Sequence, residues 1–261
     1  MPDRRLVLPR DVMGANDFSC SGGTHVSLGD LEGDSASTAV LVLPSLLHVM
    51  QAGWLAALRA GQWSTFEDWL TSAVEDTRHE PGRPTWRYDL VVAEYAGTLG
   101  TDRVHVVVGE DPAAAAAFLA DLSGAPVDRM VLEGWTRALS WAEVGTVEAL
   151  LFELEDLGLT GRNAAEMVDG GAEHLMRSGT PVPLGRSPLL ESLEGRLAGS
   201  AAEMAAAVAA AGVPATGDLT RLAWPPHDGD AVPTVGLTEA AELAMGMLER
   251  VTTWAREEET G

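Results

Sequence analysis

Residues 39–60, AVLVLPSLLHVMQAGWLAALRA, contain the pattern on which the fold of this chain depends. Residues 39–43 are an apolar run of strand length, which is typical of a strand buried on both faces. After Pro44 and Ser45, apolar side chains recur at helical spacing, at Leu47, Met50, Trp54, Leu55 and Leu58. The segment therefore predicts a buried strand followed directly by a helix, which is the repeating unit of a parallel α/β sheet.

Elements of the same two kinds follow along the chain. Three Ser-x-x-Glu capping boxes, which begin at Ser64, Ser140 and Ser200, mark helix starts. The complete pattern predicts strands over 40–43, 104–108 and 213–219, and helices over 46–60, 66–74, 86–99, 112–122, 141–157, 200–211 and 239–257. This alternation predicts an α/β fold, with a parallel sheet flanked by helices and a helical C-terminal part.

The first 38 residues differ from the rest. Apart from a short strand at 5–8 they are rich in Gly, Ser and Asp and show no sustained periodicity. We therefore expect three consecutive parts: an irregular N-terminal segment over 1–38, an α/β domain over 39–224, and a loop with a C-terminal helix that packs on that domain over 225–261.

Charge and composition exclude several classes of function. The chain has 39 acidic and 17 basic side chains and a formal charge of -22, so nucleic acids and anionic membranes are not expected partners. All of the basic residues are arginine, which removes the usual Walker A lysine and the Schiff-base lysine of pyridoxal enzymes. No leader or membrane-length apolar segment is recognisable, and we expect a cytoplasmic protein.

Few residues stand out as catalytic candidates. The six histidines have no zinc-ligand spacing, so no metal site is expected. His25 and His48 are the weak candidates for a catalytic role, while Cys20 lies in a Gly-rich stretch that holds it in no defined geometry. No Gly-x-Ser-x-Gly elbow is present, which leaves hydrolase chemistry without support.

Several segments resemble bacterial sulfotransferases that use 3'-phosphoadenosine 5'-phosphosulfate. Residues 63–70 (WSTFEDWL) are similar to the family's aromatic helix start, 100–104 (GTDRV) to its Gly-x-Asp-Arg-Val turn, and 212–219 (GVPATGDL) to a segment that closes some members. The likeness covers about two thirds of the chain. It implies a P-loop type of parallel sheet and a role in small-molecule tailoring, as in biosynthesis of secondary metabolites.

The resemblance also implies that the cofactor site is degenerate. The family's phosphosulfate loop carries a lysine, which this chain lacks. Aligned on Trp54, the family's arginine and serine that hold the 3'-phosphate correspond to Pro44 and Ala52. The weak candidates for cofactor binding are Ser21, Gly22, Gly23, Thr24 and Arg10. We therefore expect no cofactor to be bound by this chain alone, and the family's cofactor only where a partner shares the site.

These observations favour a truncated, catalytically degenerate sulfotransferase-like protein that acts as a partner subunit. A sheet that lacks its first strand, loop and helix would expose an edge and apolar helix faces, which a sulfotransferase homologue or a second copy would cover in a complex. Aromatic residues are the expected anchors of that interface. The candidates are Trp54, Trp63, Phe66, Trp69 and Trp86.

Two alternatives stay open from the sequence. One is an active sulfotransferase whose cofactor site is rebuilt without lysine, with Arg4, Arg5 and Arg10 as anion-binding candidates. The other is an acidic module that holds a small cationic ligand, which the charge of -22 favours.

Overall fold

The structure, a computed structural model, describes residues 5–9, 19–20, 24–26, 37–75, 86–108, 117, 132–133, 137–177, 184–185, 187–225 and 236–260. Contacts divide the chain into two compact units, each assembled from three stretches of sequence. The sheet unit comprises Met1–Met50, Thr77–Trp135 and Ser192–Pro225, and the helical unit comprises Gln51–Asp76, Thr136–Glu191 and Pro226–Gly261. The three consecutive domains expected from the sequence remain a prediction.

The sheet unit contains five parallel strands, β1 Arg5–Pro9, β3 Thr24–Val26, β4 Ser37–Leu43, β5 Val104–Val108 and β7 Ala215–Thr216. Their order across the sheet is β3-β1-β4-β5-β7. A separate antiparallel pair consists of β2 Ser19–Cys20 and β6 Leu132–Glu133. Three of the parallel strands, β1, β4 and β5, have five or more residues and form the body of the sheet.

Seven helices complete the described elements. They are α1 Leu46–Arg59, α2 Phe66–Glu75, α3 Tyr88–Leu99, α4 Trp141–Asp156, α5 Arg162–Arg177, α6 Glu191–Ala210 and α7 Leu237–Thr260, with 3-10 turns at Thr101–Arg103 and Leu219–Leu222. The helix predicted over 112–122 lies outside the described residues, except for Ala117. None of the helices in the described ranges is long and apolar enough to cross a membrane.

β4 and β5 form the centre of the sheet. Their register pairs Leu41 with Val106, and α3 packs against both strands. Consecutive side chains of a strand point to opposite faces, yet Leu41 and Val42 are both buried, so β4 is covered on both sides. The strands predicted over 40–43 and 104–108 are confirmed, as is an α/β fold with a flanked parallel sheet and a helical C-terminal part.

The N-terminal part of the sheet corrects the sequence analysis. The short strand expected at 5–8 is β1, but it pairs in parallel with β4, with Val7 opposite Ala39, and β3 pairs with its other edge. The expectation that the sheet lacks its first strand is therefore wrong. Residues 6–8 are apolar, and a parallel ladder supplies their backbone groups with hydrogen-bond partners even in a short segment.

Only one of the three predicted capping boxes has the expected geometry. The Ser140 hydroxyl accepts from the N–H of Glu143, whose carboxylate accepts from the N–H of Ser140. At α2 the cap lies one residue later than predicted, since the Thr65 hydroxyl accepts from the N–H of Asp68. The third prediction is wrong, because Ser200 lies in the middle of α6, where preceding residues already continue the helix.

The strongest helix pairing in the helical unit is between α5 and α7. The sequence analysis missed α5, because Gly170 and Gly171 resemble helix breakers. Here they permit close approach: a Cβ on Gly171 would lie 2.7 Å from Cδ1 of Leu243. Gly246 of α7 faces them, and a Cβ there would meet Gly170 O and His174 Cβ at 2.5 Å. The glycines therefore serve packing between two helices.

Candidate functional site: an acidic cleft in the helical unit

An aromatic cluster fixes the start of α2 within the helical unit. The Phe66 ring lies 5.4 Å from Trp54, 6.4 Å from Trp69 and 6.1 Å from Trp141, measured between centroids. The Trp54 indole N–H donates to the carbonyl of Ser64 at 3.0 Å, which holds the loop before α2 against α1. These contacts give the loop and the first turn of α2 a rigid foundation.

Two sets of buried polar contacts hold the segment that leads into α4. The Gln51 side chain, fully buried in α1, donates to the carbonyl of Leu139 at 2.9 Å and accepts from its N–H at 2.7 Å. Arg137 donates two hydrogen bonds to the carboxylate of Glu143, at 2.6 and 2.8 Å. Because Glu143 is also buried, this ion pair and the Ser140 cap fix where α4 begins.

The loop before α2, the first turn of α2 and one face of α4 enclose a cleft of about 200 Å³. Its lining combines aromatic and aliphatic side chains with hydroxyls and three carboxylates. The lining residues are Trp63, Ser64, Thr65, Asp68, Glu148, Leu151, Phe152 and Glu155. The described chain thus has an acidic cleft with aromatic side chains in its wall.

Glu148 is the most unusual carboxyl group of the cleft. Its Oε1 accepts from the N–H of Phe66 at 2.7 Å, so a side chain of α4 caps the first turn of α2. Burial raises the pKa of Glu148 above its ordinary value, and the negative charges of Glu67 and Asp68 raise it further, against the lowering effect of the hydrogen bond from Phe66. The site therefore carries an excess of negative charge.

The other lining residues differ in exposure. Asp68 and Glu155 are exposed at the mouth of the cleft, and Trp63 is half-buried. The Phe152 side chain is 55% exposed, which is high for an aromatic residue. The Thr65 hydroxyl donates to Asp68 Oδ2 at 2.8 Å, which orients that carboxylate. A ligand in the cleft would meet fixed carboxylates and apolar ring surface together.

The predicted interface aromatics have different environments. Trp54 and Phe66 are buried in the core of the helical unit, so neither is available as a surface anchor. Trp86 is buried in the sheet unit, where the Arg87 guanidinium lies 5.8 Å from its ring centroid. Trp63 and Trp69 are half-buried, and only for these two does an interface role remain a prediction.

The residues predicted as catalytic or cofactor-binding candidates are not brought together in one site within the described part of the chain. His48 is buried in α1, and desolvation lowers its pKa to about 4, so it is neutral at physiological pH. His25 and Thr24 lie in β3, and Cys20 lies in β2. The remaining cofactor candidates, Arg10, Ser21, Gly22 and Gly23, lie outside the described residues, as does Arg4, whereas Arg5 is the first residue of β1. Their roles remain predictions.

Sequence reasoning missed the residues that build the cleft. Asp68 and Glu155 are single acidic residues among 39, and Glu148 meets Phe66 across 82 residues of sequence. Within the described ranges, no three His, Cys, Asp or Glu side chains come close enough together to hold a metal ion. A helical stripe of acidic residues at 148 and 155, two turns apart on α4, was the one available signal.

Comparison with known proteins adds no family assignment. No protein-family model, curated protein or solved structure matches this chain.

Proposed function

We propose that this protein binds a small organic cation, of the alkylammonium type, in the acidic cleft of the helical unit. The observation that carries the proposal is the arrangement of Asp68, Glu148 and Glu155 around one cavity whose wall includes Trp63 and Phe152. Carboxylates attract a cation by charge, and aromatic faces add cation–π attraction. The chain's charge of -22 supports steering of a cation toward the site.

The electrostatics of Glu148 support the same ligand class. Its pKa is raised because burial and neighbouring acidic groups disfavour its charged form. A bound cation relieves that unfavourable environment in the same way as a proton does. An anion, including a nucleotide phosphate, would add to the repulsion.

The dimensions of the cleft restrict the ligand to a small molecule. About 200 Å³ is below the range of roughly 300–1,000 Å³ that is usual for sites of drug-sized ligands. A nucleotide cofactor is too large for this cavity. A monoamine or quaternary ammonium compound fits the combination of size, charge and aromatic wall.

The test is calorimetric titration with choline and with 3,3-dimethyl-1-butanol, which has the same shape without the charge. We expect choline to bind with a Kd of about 0.1–1 mM and the neutral alcohol not to bind measurably. Equal binding of the two compounds, or binding of neither at about 10 mM, which corresponds to less than 3 kcal/mol, would contradict the proposal.

Charge variants locate the binding to the cleft. Asp68→Asn and Glu155→Gln each remove one carboxylate at the mouth, and we expect each to weaken choline binding about threefold. Glu153→Gln is the matched control, because Glu153 is an exposed acidic residue of α4 outside the lining. If all three variants weaken binding equally, the attraction comes from overall charge and the cleft is not the site.

The sulfotransferase-like partner subunit is a separate proposal that rests on the sequence resemblance. It is supported by Pro44 and Ala52, which stand where the family has its 3'-phosphate ligands. Neither side chain donates a hydrogen bond to phosphate. Titration with adenosine 3',5'-bisphosphate tests it, with the chain alone and mixed with an active sulfotransferase. Binding only in the mixture is the expected result, while binding by the chain alone would favour an active, lysine-free enzyme.

A further inference from the structure

Four side chains of α4 that line the acidic cleft follow one another along one face of the helix. They are Glu148, Leu151, Phe152 and Glu155. Residues three or four positions apart are neighbours on a helix surface, so Leu151 and Phe152 lie one turn beyond Glu148, and Glu155 lies one turn beyond them. Two carboxylates are therefore separated by a layer of apolar side chains, and their Cα atoms are about 10.5 Å apart along the helix axis.

The negative charge of the cleft is divided between two ends, which we call the α2 end and the far end. At the α2 end, Glu148 accepts from the N–H of Phe66 in the first turn of α2. Burial raises the pKa of Glu148, and the charges of Glu67 and Asp68 raise it further, so Asp68 belongs to the same end. The far end is formed by Glu155, which is exposed two turns along α4.

The carboxylates of the cleft differ from the buried carboxylates of the same unit in having no arginine beside them. Asp169 lies 3.4 Å from Nε of Arg59, and Glu143 lies 2.6 Å from a guanidinium nitrogen of Arg137. In the part of the chain that the structure describes, no ion pair includes any of the three cleft carboxylates. A cationic ligand would supply to them the charge that arginine supplies to the others.

We propose that the ligand of the acidic cleft is a linear diamine, an inference that rests on the proposed binding of an organic cation there. One ammonium group pairs with Glu148 and Asp68, and the other pairs with Glu155. The methylene chain between them contacts Leu151 and Phe152. A metal ion would concentrate its charge at one point, whereas among the described side chains no three His, Cys, Asp or Glu residues converge closely enough to hold one.

A chain of five methylene groups has the length that this arrangement requires. The six bonds between its two nitrogens span about 7 Å, at roughly 1.2 Å per bond. A charge-assisted hydrogen bond of about 2.8 Å at each end extends the reach to at most about 13 Å. This covers the distance of about 10.5 Å between the positions of Glu148 and Glu155 on the helix. The probe is therefore 1,5-diaminopentane.

The test is calorimetric titration of the full chain with 1,5-diaminopentane, with 5-amino-1-pentanol and with Mg²⁺. The amino alcohol has the length of the diamine and one charge, while Mg²⁺ has both charges and no apolar chain. We expect the diamine to bind about tenfold more tightly than either. Equal binding of the diamine and the amino alcohol would overturn the diamine proposal and leave the binding of an organic cation intact. Mg²⁺ binding as tight as that of the diamine would also overturn it. Binding of neither amine would overturn both proposals.

Charge variants show whether the second ammonium group lies at the far end. Glu155→Gln should weaken binding of the amino alcohol about threefold, as for choline, and binding of the diamine at least tenfold, so the ratio of the two Kd values falls from about ten to about three or less. Glu153→Gln is the matched control, since Glu153 is exposed on α4 outside the lining, and should leave the ratio unchanged within about twofold. A ratio that Glu155→Gln leaves unchanged, or that both variants lower equally, would overturn the diamine proposal.

Discussion

The two units of this chain keep their interiors stable by different means. The centre of the sheet unit is almost wholly apolar, and parallel ladders between β1, β4 and β5 pair its backbone groups. In the helical unit, buried side chains bind backbone groups directly, as Gln51 does at Leu139. Of the buried polar residues in the described ranges, Thr38 and His48 lie in the sheet unit and the other six lie in the helical unit.

This difference has a physical cause. A sheet supplies each central strand with hydrogen-bond partners on both sides, whatever its side chains are. A helix end supplies none, so its free N–H and C=O groups need side chains when they are buried. The start of α4 and the start of α2 are such ends, and Glu143 and Glu148 serve them. The cleft therefore lies where side-chain chemistry, more than packing, determines the structure.

The largest expected effect comes from removing the buried carboxylate of Glu143. Glu143→Ala leaves Arg137 and the N–H of Ser140 without their partner in a poorly solvated site. We expect a loss of about 3–5 kcal/mol in the free energy of unfolding, measured by urea unfolding followed by tryptophan fluorescence. Glu153→Ala, at an exposed position of the same helix, should change stability by less than about 0.5 kcal/mol.

A small effect of Glu143→Ala would change the comparison. If the free energy of unfolding falls by less than about 1 kcal/mol, as for an ordinary hydrogen bond, water replaces the carboxylate. The stability of the helical unit then does not depend on the contacts of Glu143 with Arg137 and Ser140. Equal losses in the two variants would show that the loss does not depend on the burial of the Glu143 carboxylate, because Glu153 is exposed.

The same comparison explains how far the sequence predicts the structure. β4, β5 and α1 follow from local apolar periodicity, and the Ser140 box is a signal within four residues. The cleft depends on the contact of Glu148 with Phe66, which no local pattern encodes. The first strand was predicted, but its place beside β4 was not, because pairing between separated segments leaves no local signature.

Helix α5 shows a different limit of sequence reasoning. Its apolar side chains follow helical spacing, at Ala165, Val168, Ala172, Leu175 and Met176. The glycine pair in the middle of this pattern indicates a break when it is considered alone. Only the close approach of α7 explains why side chains are excluded there, since a Cβ on Gly170 would meet Arg250 and a Cβ on Gly171 would meet Leu243. Residues of low helix propensity in the middle of a helix can thus mark the place where another helix packs closely against it.

An intermediate effect is expected in the sheet unit, at Tyr88. The buried Tyr88 hydroxyl donates to the carbonyl of Leu222 at 3.0 Å. Burial raises the pKa of Tyr88 well above its ordinary value, and the charge of Asp89 raises it further. Tyr88→Phe should cost about 1 kcal/mol at pH 8, less than the loss at Glu143, because one hydrogen bond is removed and no charge is stranded.

The stability cost of Tyr88→Phe is expected to depend on pH. Above about pH 10 the unfolded chain loses the phenolic proton that the folded chain retains, so the wild-type stability falls as pH rises. Tyr88→Phe removes that part of the loss, and its cost should shrink between pH 8 and pH 11. Because the chain has no lysine, the tyrosines and Cys20 are the side chains whose ordinary pKa values fall between about pH 8 and pH 11. A cost that stays constant to pH 11 would show that Tyr88 ionises freely in the folded protein.

The smallest expected effect has the opposite direction and lies in the cleft. Glu148→Gln removes a carboxylate whose pKa is raised by burial and by the charges of Glu67 and Asp68, and keeps an oxygen that accepts from the N–H of Phe66. We expect a gain of about 0.5 kcal/mol at pH 7. Because the folded pKa exceeds the unfolded one, wild-type stability is lost as pH rises through the raised value, so the gain should vanish near pH 4.

Urea unfolding at pH 4, 5.5 and 7 measures this difference, and choline titration of the same variant shows what the carboxylate is for. A loss of stability at pH 7 would mean that the attraction between the negative charge of Glu148 and the positive N-terminal end of α2 is stronger than the repulsion from Glu67 and Asp68. A gain in stability together with weaker choline binding would mean that the helical unit keeps an unfavourable charge because a cation completes it. Among the described residues, the sheet unit buries no carboxylate, so no stabilising change of this kind is expected at its centre.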